Sequence, residues 1–169
     1  MTSMQRLASV GLRALRLFMS GTIVVLFAVM AFSVLGEVVG RHFFRSSHAA
    51  LSEIAVYSLI WLSLVGGGVA MQRNQHIGID VLIVLCPKVV QQVVVLISAI
   101  IAVWFLWVVF DGGLTLIARG AMQRSPAMQI PMSYIYLAIP IGAAYFALEL
   151  ILSSVARLTG KATSQETEL

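Results

Sequence analysis

The residues of this chain that could do chemistry are few: seven acids, three histidines and one cysteine. Inside a bilayer an ionisable side chain marks an ion or proton path by default. Glu37, Glu53, Asp111 and Glu149 each fall near the end of a long uncharged run, and none sits at a run's centre. No midplane site for a coupling ion or proton is visible, which argues against an autonomous pump or a small self-sufficient exporter. His42, His48 and His76 lie in connecting segments. A membrane b-type cytochrome needs axial histidines at depth on facing helices. Cys86 is the sole cysteine, which excludes an intrachain disulfide and a cluster of Cys ligands. No Ser-His-Asp, HExxH or phosphate-loop pattern occurs. A small four-helix membrane enzyme would hold a thiol cofactor with cationic residues at span ends. Length leaves that alternative open, but no clustered Arg–Tyr constellation supports it. No catalytic, cofactor-binding or metal-ligating residue is expected.

The elements that must position these side chains are membrane helices. Leu17–Gly36, Ile54–Gln72, Val89–Phe110 and Ser125–Leu148 contain no Asp, Glu, Lys or Arg. A helix needs roughly 20 residues to cross a hydrocarbon layer about 30 Å thick. With 60% hydrophobic and 11% charged residues, the 169-residue chain leaves no room for a soluble catalytic or nucleotide-binding domain. The sequence therefore predicts an all-α integral membrane protein with four transmembrane helices, near 17–40, 51–72, 88–118 and 131–157. Between the second and third spans, Asp80 as N-cap and Pro87 as stop predict a short interfacial helix near 80–86. Residues 1–16 read as a basic leader, either a short helix on headgroups or a frayed segment. Residues 158–169 read as a polar tail. The first apolar run is longer than that of a signal peptide and reads as a retained span.

Lys and Arg distribution sets the expected orientation. Arg6, Arg13, Arg16, Arg73, Lys88, Arg157 and Lys161 lie on one side, and Arg41, Arg45, Arg119 and Arg124 on the other. The bias puts both termini in the cytoplasm. The net charge of +4 is thus a topology signal, not a nucleic-acid footprint. Gly66, Gly67, Gly68 and Ala70 in span two, with Gly142 and Ala143 in span four, are candidate surfaces for close helix approach. A hinge or unwound ion site is the alternative at the glycine triplet. Glu37 and Arg41 are spaced for a helical ion pair. Glu53 suits a helix N-terminus, Asp111 precedes Gly112-Gly113, and Pro131 suits the first turn of span four.

Four segments, in order, carry a family resemblance. They are Gly40-Arg-His-Phe-Phe44, Leu51-Ser-Glu53, Trp61 through Gly66-Gly-Gly-Val-Ala-Met-Gln-Arg73 into His76-Ile-Gly-Ile-Asp80, and Gln123-Arg-Ser-Pro126 through Pro131 to Tyr136. Together they resemble the small membrane subunit, DctQ type, of tripartite ATP-independent periplasmic (TRAP) transporters, over roughly residues 20–155. One departure is that a second acid often follows the glutamate in the family, where this chain has Ile54. The resemblance implies a bacterial inner-membrane importer of three parts. A periplasmic binding protein delivers an organic anion. A large membrane subunit carries it across by symport with an ion, usually sodium. The small subunit holds the large one in the lipid bilayer. Under that resemblance, Arg41, Arg45, Arg119 and Arg124 are candidate contacts for the binding protein.

Overall fold

A computed structural model describes residues 3–43, 48–72 and 88–158. Helix α1 spans Ser3–Phe43, α2 Ala49–Gln72, α3 Lys88–Gly120, α4 Ser133–Tyr136 and α5 Ala138–Leu158. Four stretches are long and apolar enough to cross a membrane: Val10–Phe43, Ala49–Gln72, Val90–Gly120 and Ser133–Val155. The four-span fold expected from the uncharged runs is thereby found. The interfacial helix expected near 80–86, with Asp80 and Cys86, lies outside the described residues, as does Arg45.

Local chemistry accounts for the helix bounds. The basic leader is continuous with the first span, because nothing between Ser3 and Phe43 breaks the helix: no proline occurs there. Helix α3 likewise passes through Gly112-Gly113 and ends only at Gly120. The fourth span is interrupted at Leu137. Pro140 has no N–H to give to the Tyr136 carbonyl, so α4 stops at Tyr136 and α5 restarts with proline in its first turn. Pro131 sits before α4, bridged to Arg124 across the α3–α4 loop.

The helices stand in a row. Helix α1 packs on α2, α2 on α5, and α5 on α3, with α4 wedged against α3. Every buried hydrophobic residue among those described belongs to α2, α4 or α5, including Val65, Val69, Ile135, Ala143 and Tyr145. The outer helices α1 and α3 instead present Phe18, Val24, Phe32, Ile100, Trp104 and Trp107 outwards. In water this surface would aggregate. In lipid it is the solvated surface, since acyl chains are as apolar as the side chains they meet.

Candidate functional site

Three carboxylates tie this row together. Each reaches a partner on another element. Glu149, in the cytoplasm-proximal half of α5 by the expected orientation, is 1% exposed. It accepts two bonds from Arg16 of α1, Nε to Oε1 at 2.9 Å and Nη2 to Oε2 at 2.7 Å. This two-pronged geometry suits a planar guanidinium and adds direction to the charge attraction. Neither residue was singled out as a pair from the sequence. They are separated by 133 positions.

Glu37 works at the opposite end. It pairs with Arg41 one turn on, as the spacing predicts, and also accepts a bond from the Ser52 hydroxyl. It thus closes the α1–α2 hairpin. On α1, Arg16 and Glu37 stand 21 residues apart. That is roughly 31 Å of helix at 1.5 Å per residue, close to the thickness of the hydrocarbon layer. The two polar clasps therefore bracket one membrane thickness.

Glu53, one turn into α2, holds the α3–α4 loop. Its carboxylate accepts the amides of Ala127 at 2.7 Å and Met128 at 3.0 Å. The loop is also braced internally. Ser125 N–H donates to the Ile130 carbonyl at 2.9 Å, and Met132 N–H to Gln123 at 3.0 Å. Gln129 adopts φ 57°, a left-handed turn position. The Arg124 guanidinium donates to the Gln129 carbonyl at 3.1 Å. Arg124 is thus engaged within its own loop, and Arg41 is engaged with Glu37. Arg119 is exposed at the end of α3.

The small residues divide by which way they face. A Cβ on Gly68 would collide with the Tyr145 ring, and one on Gly142 would lie 2.8 Å from Leu64 Cβ and 3.0 Å from its backbone. These two glycines let α2 and α5 approach. Gly67 meets Phe146 at 3.2 Å. Ala143 is buried in the same seam. Gly66 has open space beside it. Gly66 and Ala70 line an apolar groove between α1 and α2 with Ile23, Val24, Phe27, Leu62 and Val69. Two further close approaches went unread in the sequence. Gly113 lies against Ile139 and Pro140, and Gly120 against Tyr136 and Ser133. Their signal was a pair of glycines seven residues apart on α3.

Asp111 belongs to none of these clasps. It is exposed on α3, and no described residue pairs with its carboxylate. Asp111 closes an uncharged run, yet α3 continues nine residues beyond it to Gly120, so it is not at the end of the span. Among the described residues, no group of three or more His, Cys, Asp or Glu side chains converges as a metal site.

The described chain is a helical multi-pass protein in which three carboxylates join one element to another. The comparisons give it a family. The model for the DctQ component of tripartite ATP-independent periplasmic transporters matches residues 30–160. A protein of Haemophilus influenzae described as a TRAP transporter small permease is 26% identical over 111 residues, covering 66% of this chain and 69% of that protein. The chain belongs to the DctQ family and is a small permease subunit of a TRAP transporter, not an enzyme. Membership implies a large membrane subunit and a substrate-binding protein as partners, and a multi-pass place in the inner membrane.

Proposed function

We propose that this chain scaffolds the large membrane subunit of a TRAP importer, and that the importer takes up an organic anion delivered by a periplasmic binding protein. Uptake is driven by an ion gradient. Both termini face the cytoplasm, so Arg41, Arg119 and Arg124 face the periplasm. Of these, Arg119 is the one whose guanidinium has no described partner, and it is the first candidate for contact with the binding protein.

The observation that carries the scaffold reading is the row of helices. A row with apolar outer helices is a wall, suited to lie against a larger membrane protein. The bonds of Glu149, Glu37 and Glu53 serve rigidity, since each of these carboxylates joins two elements of the wall.

Reconstitution tests the reading. Vesicles holding this chain, the cognate large subunit, the binding protein and an inward sodium gradient should accumulate the anion. Vesicles holding this chain with the binding protein and gradient, but no large subunit, should not. Uptake by the latter would overturn the assignment. Full uptake by the large subunit without this chain would remove the scaffold from the mechanism.

A further inference from the structure

The four described carboxylates are not equivalent. Glu37, Glu53 and Glu149 are each satisfied by partners on the page. Asp111 is the one left without a partner among the described residues. Its position makes this consequential. It lies nine residues before the end of α3 at Gly120, about 13 Å along the axis. Its neighbour Gly113 touches Ile139 and Pro140 of α5. Two residues further along α5, Gly142 meets Leu64, in the middle part of α2. Asp111 therefore stands deep in the layer.

It also faces outward. Gly113 points at α5, and two residues correspond to about 200° of helix rotation, so Asp111 is on the far side. One and two turns away on that side are Trp107 and Trp104, 68% and 69% exposed, with Val108 and Leu114 alongside. A lone carboxylate facing hydrocarbon is costly, and such residues turn towards a partner of opposite charge. Trp is also the side chain most enriched where protein surfaces bind most tightly.

We infer that this face of α3, centred on Asp111 with Trp104 and Trp107, docks the large membrane subunit, which presents a cationic side chain to Asp111 within the bilayer. The inference rests on the scaffold reading and assigns its contact surface to α3. A second copy of this chain fits less well. A two-fold contact would set Asp111 against Asp111, and the described arginines lie in the first third of α1, near the far ends of the long helices or in the α3–α4 loop. The other outer helix, α1, already has Arg16 and Glu37 paired internally.

The test is co-purification of the cognate large subunit with the tagged chain from detergent-solubilised membranes. Asp111→Asn and Asp111→Leu should each lower recovery at least tenfold, and Asp111→Glu should retain most of it. The unfolding temperature of the chain alone should not move, because the Asp111 carboxylate has no partner among the described residues. In a Cys86→Ser background, Val108→Cys should cross-link to the large subunit and Val24→Cys on α1 should not. Undiminished recovery with Asp111→Leu, cross-links only from Val24→Cys, cross-links from Val108→Cys between two copies of this chain, or a lowered unfolding temperature would each overturn the assignment. If the unaltered chain recovers no large subunit, the scaffold reading falls and takes this assignment with it.

Discussion

Arg16 and Glu149 form a contact in which the two partners have unequal stakes. Glu149 is wholly buried, whereas the Arg16 side chain keeps 36% of its surface exposed. Removing Arg16 leaves an uncompensated charge with no route to water. Removing Glu149 leaves a guanidinium that can swing outward on its long stem. Breaking a buried pair costs about 3–5 kcal/mol when the survivor stays buried. Arg16→Ala should therefore destabilise the chain by about 3 kcal/mol, and Glu149→Leu by distinctly less. Thermal or denaturant unfolding in mild detergent measures both, and the reverse ranking would refute the argument. A single sequence conceals such a pair because it spans almost the whole chain. What it does reveal is that the start of span one and the end of span four share a membrane side, so an arginine and a glutamate there are within each other's reach. Glu37–Arg41 was legible because helical spacing alone predicts it. Glu53 was legible only as a helix-start carboxylate. Its bonds to Ala127 and Met128 depend on a loop more than 70 residues away.

Among the elements, spans can be read from length and polarity, but faces cannot. Helix α2 is apolar all round, so the sequence offers no amphipathic stripe to say which of Gly66, Gly67 and Gly68 meets a neighbour. Helix rotation decides it, and Gly68 faces Tyr145 while Gly66 opens on the groove beside α1. The four-residue spacing of Gly66 and Ala70 pointed to one seam, whereas the tightest α2–α5 contacts fall at Gly68 and Gly142. Expected outcomes follow from the clearances. Gly142→Leu meets the Leu64 backbone, which cannot move aside, and should collapse the monodisperse peak in size-exclusion chromatography. Gly68→Leu must displace the Tyr145 ring and with it the bond from Tyr145 to Gln72. It should cost about 1–3 kcal/mol, the range for forced overpacking. Gly66→Leu should leave the isolated chain folded. A monodisperse Gly142→Leu protein, or an aggregated Gly66→Leu protein, would place the seam elsewhere. The break at Leu137 was also within reach of the sequence, since Pro140 follows an otherwise unbroken apolar run.

For the molecule as a whole, the apolar pattern fixes the number of spans and not their arrangement. Lipid and protein interior are equally apolar, so hydropathy does not distinguish a row from a closed bundle. Orientation has a separate source, the positive charges flanking the spans. An even number of spans returns both ends of the described membrane region to one side, and the Arg16–Glu149 clasp is consistent with this because it joins the early part of α1 to the late part of α5. The connection after α2 shares that side. It carries Arg73 and Lys88 at its margins and Cys86 within it, outside the described residues. Cys86 is the sole thiol, so the natural sequence is its own probe. A membrane-impermeant maleimide should leave intact spheroplasts unlabelled and react after permeabilisation, with labelling in denaturant as the measure of total thiol. Efficient labelling of intact spheroplasts would invert the topology. It would turn Arg41, Arg119 and Arg124 to the cytoplasm, where no periplasmic binding protein could meet them, while leaving every contact within the row unchanged. Sidedness is thus a property of the charges at the ends of the helices, separable from the packing that holds the helices together.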